Sequence, residues 1–303
     1  MQISTSQLYD RSTSLMAKLS QKADKLQTQI STETKILAPS DNAVGYRQLT
    51  TLKTDKADDK AYAANISLAQ GLLDQSDTTL GSVETQLQRA QELAIQAGSG
   101  TLSNENRKVL AGQVRALISD MVGLANTKDV RGQPLFGAAT GDSAVSVAGD
   151  GTVSFVGTGE PSAIPIGDGN DVRATDSAAR IFGGIPTSGG GTTDIFAMLG
   201  SFADSLEAGS NPTATAAATE GLKTALAQVT QARGSVGARG ARMDLEAQRL
   251  KDVGTTREIT RSAIEDTDVP TTIMELQKTM TILSATQASF TKLSSLSLFN
   301  YLS

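Results

Sequence analysis

The chain has 303 residues, 27 Lys and Arg against 32 Asp and Glu, and no Cys, His or Trp. Without thiol or imidazole there is no disulfide, no Cys- or His-based zinc site, and no Ser-His or Cys-His hydrolysis. Aromatic residues make up only 4%, so a deep aromatic-lined pocket is not expected, and the composition points away from an enzyme.

The net charge of −5 is concentrated in the middle, where residues 131–209 hold nine acidic groups against Arg131, Arg173 and Arg180. No basic cluster marks nucleic-acid binding. No apolar run approaches the roughly 18 residues of a membrane helix. The opening Met1–Asp10 lacks a charged-then-apolar leader with a cleavage site, which unaided reads as cytoplasmic.

In chain order, Leu8, Leu15, Leu19, Leu26 and Ile30 predict a first helix over Ser6–Ile30, broken by Pro39. Ser40 or Asp41 can cap a second helix. It runs from about Asn42 to Ala97 and carries the seam Ile66, Ala69, Leu73, Ser76, Leu80, Val83, Leu87, Ala90, Ala94, Ala97. Near its start Asp55, Asp58 and Asp59 alternate with Lys53, Lys56 and Lys60, the pattern of a solvated face with i,i+3 and i,i+4 pairs. A third helix, capped by Ser103, follows with Leu110, Val114, Leu117, Met121 and Leu124.

Residues 131–191 hold fourteen of the 28 glycines and read as short strands and turns. Ala144–Val147 and Thr152–Val156 flank Ala-Gly-Asp-Gly, a hairpin pattern. Five of the seven Phe lie between Phe136 and Phe202, enough to seed a small separate core. Gly167-Asp-Gly-Asn-Asp171 is like one copy of a calcium-binding β-roll repeat, but such rolls stack at least three copies, so it reads as an acidic turn. Gly149-Asp-Gly151 and Gly157-Thr-Gly159 lack the full spacing of a phosphate loop.

Further on, Leu222, Leu226, Val229, Arg233, Val236, Gly240, Met243, Ala247 and Leu250 alternate steps of four and three. Gly234, Gly237 and Gly240 there indicate close helix packing, a bend or a local break. Asp266 and Asp268 stand before Pro270, where carboxylates suit a helix start. The last seam is Ile273, Leu276, Met280, Leu283, Gln287 and Phe290, and an apolar tail follows it.

Each end thus shows a short terminal helix, a break and a long inner helix. The expected fold is mainly α: an elongated rod of long antiparallel helices formed by the N- and C-terminal arms, with a small β-rich, Gly-rich domain inserted in the middle. Its parts are 1–40 with 268–303, 41–130 with 193–267, and 131–192. An isolated terminal helix with a narrow apolar stripe cannot bury itself. The candidate assembly residues are therefore Leu8, Leu15, Leu19, Leu26, Ile30, Leu283, Phe290, Leu293, Leu296, Leu298, Phe299 and Tyr301. An ordinary intramolecular coiled coil is the plainer alternative. No catalytic, cofactor-binding or metal-ligating set stands out.

Gln29–Asn42, Leu87–Gln96, Arg131–Gly137, Arg233–Arg239 and Ala263–Asp268 resemble, in this order, the signatures of the bacterial flagellin superfamily. The signature positions are Pro39, Ser40, Asp41, Arg89, Glu92, Arg233, Gly237, Asp266 and Asp268. The Ala-Pro-Ser-Asp run and the ending Leu296–Leu302 are similar to the branch that joins hook to filament, the third hook-associated proteins. Asn42 stands where a second Asp is common, and the middle segment carries no such match. The resemblance implies a structural, non-enzymatic and cofactor-free flagellar protein, extracellular at the hook–filament junction, exported unfolded without a cleaved signal. Implied partners are identical subunits in a ring, the hook-side junction protein, flagellin, and an export chaperone at the C-terminal segment, with neither nucleic acid nor membrane insertion. A filament flagellin, or from another class a secreted coiled-coil effector or tip protein, is the alternative.

Overall fold

The computed structural model describes residues 2–99, 101–187, 190–209 and 211–299, with the side chains of 2–6, 8 and 293–299 outside the description. The chain is mainly α, with a few short antiparallel strands near its middle. It divides into two compact units, 1–58 with 252–303 and 59–251.

The larger unit is organised by α2 (Ala43–Ala97) and α6 (Pro212–Glu265). Every α2 seam residue from Ile66 to Ala97 is buried, Ser76 included. On α6, Leu222, Val229, Val236 and Met243 are buried once every two turns, the repeat of a coiled-coil seam. Gln70 bonds Asp244 at 2.7 Å and Asp77 pairs with Arg233 at 3.0 Å, so α6 descends as α2 rises. Arg233 lies on the α6 seam yet stays partly exposed, because its guanidinium forks to Asp77 and, at 2.6 Å, to Glu84. Those two carboxylates raise its pKa, Asp77 most strongly.

Helix α3 (Asn104–Ala125) starts at Ser103, whose hydroxyl accepts from the Asn106 N–H at 3.2 Å. Its buried Arg107 donates back to the Ala97 carbonyl at 3.1 Å, closing the end of α2. Strands β1 (Val145–Val147) and β2 (Val153–Phe155) form the expected hairpin. Two further hairpins follow, β3 (Ile164–Gly167) with β4 (Asn170–Val172) and β5 (Ile185–Thr187) with β6 (Gly191–Thr193). The acidic Gly167–Asp171 run is the turn of the second. Gly157 is held at φ +79°, where an added Cβ would fall 1.6 Å from the Thr140 carbonyl oxygen, so only glycine closes that loop.

The phenylalanines do not form a separate core. Phe136 meets Phe182 edge-on at 6.2 Å and Phe182 meets Phe196 at 5.5 Å. Through α4 (Ala178–Phe182) and α5 (Ile195–Ala208) they join one continuous cluster with the α2, α3 and α6 seams. Two of the readings of the three α6 glycines, a local break and close packing, are not met. The helix runs unbroken through Gly234, Gly237 and Gly240, and a Cβ at any of them would meet open space. They neither break the helix nor pack it closely.

In the smaller unit, α1 (Gln2–Thr32) pairs with α7 (Val269–Phe299). The cap of α2 is Asn42, whose side-chain oxygen accepts from the Gly45 N–H at 2.9 Å, rather than Ser40 or Asp41. Asp41 is committed to the preceding turn, accepting from the N–H groups of Leu37 and Ala38. The alternating charges at the start of α2 reach across to α6: Lys53 to Glu265 at 4.0 Å, Asp55 to Arg257 at 3.5 Å, Lys56 to Glu258 at 3.1 Å. Throughout, helical Ser and Thr hydroxyls donate to the carbonyl four residues back, as at Ser76, Thr79, Thr219 and Thr272.

Asn126 fastens β1 to the end of α3, accepting from the N–H groups of Ala144 and Val145 and donating to the Val145 carbonyl, each at 3.0 Å. Replacing Asn126 with Ala strands these backbone groups and should cost roughly 2 kcal/mol. A lower urea midpoint at unchanged slope is the expected reading.

Candidate assembly site

The α1–α7 pair is built from two interlocking lines of three-four spacing. Among the described side chains, the line withdrawn from solvent on α1 runs Tyr9, Ser12, Met16, Leu19, Ala23, Leu26 and Ile30. On α7 it runs Thr272, Leu276, Thr279, Leu283, Thr286 and Phe290. Tyr9 and Phe290 close one end as an edge-on ring pair at 5.3 Å, and Lys22 bridges to Glu275 at 2.6 Å.

Five of the candidate residues, Leu19, Leu26, Ile30, Leu283 and Phe290, lie on this inner line. Leu15 does not: it is 48% exposed, one position away from the inner Met16. The side chains of Leu8, Leu293, Leu296, Leu298 and Phe299 fall outside the description, and Tyr301 lies outside the described residues. The α7 seam read from sequence shares Leu276, Leu283 and Phe290 with the inner line but differs at the alternate steps. Thr272, Thr279 and Thr286 turn inward there, each hydroxyl bonded to its own helix. Ile273, Met280 and Gln287 are exposed instead, and Met274 and Ile282 with them.

The breaks between terminal and inner helices are closely tied. Ala38 to Asp41 is a turn, the Asp41 N–H donating to the Ala38 carbonyl at 3.0 Å, with Pro39 and Ser40 at its exposed corner. Lys25 reaches the Asp41 carboxylate at 2.5 Å. Gly45 lets Ile36 pack beside α2, since a Cβ would stand 2.7 Å from the Ile36 methyl. On the other side Asp268 caps α7, accepting from the Thr271 hydroxyl at 2.7 Å. Asp266 instead pairs with Thr34 as an isolated antiparallel bridge and accepts from the Ser262 hydroxyl. Arg261 forks to Glu258 at 2.9 Å and Glu265 at 2.5 Å.

Other signature positions serve different ends. Arg89 and Glu92 pair with each other at 2.6 Å on an exposed face of α2. Arg233 locks α6 to α2, and Gly237 faces open space. The structure therefore groups Pro39, Ser40, Asp41, Asp266 and Asp268 at the helix breaks and leaves Arg89, Glu92, Arg233 and Gly237 apart from them. Sequence reading missed Tyr9, Met16, Ala23, Lys25, Lys35, Gly45 and the three inner threonines. For Tyr9, Met16 and Ala23 the complete heptad from Tyr9 to Ile30 was the available signal. Among the described residues no three His, Cys, Asp or Glu side chains gather as a metal ion would require.

Four carboxylates here sit below their ordinary pKa: Asp41 through Lys25, Glu258 through Arg261, Asp268 through Thr271 and Glu275 through Lys22. A depressed folded-state value adds stability that is present above the unfolded value and lost as pH falls through the folded one. Thermal melts followed by circular dichroism should therefore weaken from about pH 4 downward. A melting temperature flat across that range would contradict the role given to these pairs.

Residues 3–140 match the bacterial flagellin N-terminal helical region and residues 219–302 the C-terminal helical region. Flagellar hook-associated protein 3 of Escherichia coli K12 is 26% identical over 99% of both chains. The protein of that name from Salmonella typhimurium LT2 is 31% identical over 45% of this chain and 43% of its own. The crystal structure of flagellar hook-associated protein 3 from Legionella pneumophila superposes with a TM-score of 0.63 at 16% identity, covering 71% of this chain and 98% of that one. With both helical regions matched in order across roughly three quarters of its length, the chain belongs to the bacterial flagellin family.

Proposed function

We propose that this chain is the structural adaptor at the hook–filament junction of the bacterial flagellum, on which flagellin polymerises. The observation that carries this reading is likeness along 99% of both chains to a hook-associated protein 3, not to one helical region alone. Its role is mechanical, with no catalytic residue assigned.

The terminal pair supports the reading physically. Alone, α7 buries threonines against α1 and leaves Ile273, Met274, Met280 and Ile282 in water. Each is already about half covered, so removing the rest from water is worth roughly 1 kcal/mol, which a monomer does not gain and packed subunits would. We assign that outer stripe, with Leu15 and the tail Leu293, Leu296, Leu298, Phe299 and Tyr301, to contacts between identical subunits in a ring and with the hook-side junction protein and flagellin. The same tail would be the segment that an export chaperone covers before assembly. No helix among the described residues is long and apolar enough to cross a membrane, and absence of Cys leaves nothing to cross-link outside the cell. Export in the unfolded state fits terminal stripes that are covered only on assembly.

Deleting the gene should leave bare hooks and shed flagellin monomers into the medium. Missing filaments with no shed flagellin would make the chain the filament subunit instead, and normal filaments would overturn both readings. Removing the residues after Pro270 should leave a soluble, largely helical protein that no longer assembles. The finer test is Ile273→Lys with Met280→Lys. Both positions are exposed, so unfolding of the isolated chain should move by only a few tenths of a kcal/mol, while incorporation at the hook is lost. Incorporation at the wild-type level would remove the outer stripe from the interface.

A further inference from the structure

Helix α4 has five residues, too few to hold a helix by its own hydrogen bonds. Its buried Ala178, Ile181 and Phe182 press into the core, but its closing carbonyls have no further turn to accept from. The side chain of Gln228 on α6 supplies those donors from outside. Its Nε2 stands 3.1 Å from the Arg180 carbonyl, 3.0 Å from that of Ile181 and 2.8 Å from that of Gly183. Three acceptors around one terminal atom require the amide nitrogen there, and its two hydrogens serve all three by sharing. About three turns further along α6, Arg239 donates to the Arg173 carbonyl at 2.7 Å and to the Asp176 carboxylate. Both partners of that ion pair are largely withdrawn from solvent. The chain from Arg173 to Gly183 therefore runs against α6 in the opposite direction and is held at each end. The two grips stand about 16 Å apart along the helix.

We propose that Gln228 and Arg239 form a two-point clasp through which α6 fixes the backbone of residues 173–183. Both are positioning residues. The clasp sets where α4 lies and, through Gly184 and the buried Ile185, where β5 begins. All but one of its acceptors are main-chain oxygens, so the exposed side chain of Arg173 takes no part in it. Arg180 adds only an exposed pairing with Asp176 at 3.6 Å, of the kind that contributes little. Because the two grips hold one short run of chain, that run opens as a unit, and loosening either end exposes the other.

In the full chain, the side-chain amide protons of Gln228 should exchange with solvent roughly tenfold or more slower than those of the exposed Gln231. The Ile181 and Gly183 N–H groups, bonded to the Ser177 and Ala179 carbonyls, report opening of the segment. Gln228→Met, which keeps the length and loses the donors, should speed both by roughly tenfold. Arg239→Met should speed the same two amides by a similar factor, although its own bonds lie at the other end. The Ala148 amide of the β1–β2 hairpin, bonded to the Thr152 carbonyl, should not move in either variant. Arg173→Ala and Arg180→Ala should leave all three amides within about twofold of the original chain. Gln228 protons as labile as those of Gln231, Ile181 and Gly183 untouched by Arg239→Met, or alanine variants as disruptive as Gln228→Met would each overturn the clasp.

Discussion

From Ile66 to Ala97, α2 places a buried residue at every step of three or four, and α6 answers with the same steps from Thr215 to Val229 and one every two turns from there to Met243. Helices of 55 and 54 residues have only a narrow stripe with which to hold each other, so their register matters more than the size of any one side chain. That register is written in charge. Gln70 with Asp244 and Asp77 with Glu84 around Arg233 fix it in the larger unit. Lys56 with Glu258 and Asp55 with Arg257 fix it in the smaller one. A slip by one heptad would keep much of the apolar seam and break these pairs. The hairpins, α3 and α5 then pack onto a seam whose position is already set.

The smaller unit follows a different economy. Its inner line mixes Leu and Phe with Ser, Ala and Thr, so it contains less apolar material than the sequence offers. Ile273 and Met280 could have filled the places that Thr272 and Thr279 occupy. Burying a hydroxyl already bonded to its own helix leaves no donor stranded, and the larger side chains stay available for another surface. The breaks between helices show the opposite tendency. Asp41, Lys25, Arg261, Lys35 and Asp268 satisfy so many backbone and side-chain groups that the ends of the helices are more firmly specified than the faces between them.

Much of the architecture was legible because it rests on periodicity. The α2 seam could be read residue by residue, as could the Ser103 cap and the β1–β2 hairpin, since each depends on neighbours within one or two turns. The failures share a cause. Sequence spacing allowed α7 two stripes with Leu276, Leu283 and Phe290 in common, and hydropathy favoured Ile273 and Met280 over threonine. Only the partner helix decides between them. Leu15 was chosen over Met16 for the same reason. Lys53, Asp55 and Lys56 were read as pairing along one helix because α6 is some two hundred residues away in sequence. Asp41 was read as a cap because nothing in the chain order shows that Lys25 and two backbone amides already claim it. The phenylalanines cluster in sequence, which suggested a separate core, while their contacts run to helices on both sides.

The hydroxyls bonded four residues back along α2, α6 and α7 have one more consequence. A side chain whose hydrogen-bond partner lies in its own helix asks nothing polar of its neighbours. Such a helix can exchange one packing surface for another without leaving a donor unpaired on either side, so the exchange is governed by shape and apolar contact alone. Thr272, Thr279 and Thr286 give α7 this portability at three successive places on the face it now turns to α1. A helix furnished in that way keeps those hydroxyls satisfied wherever it is set down.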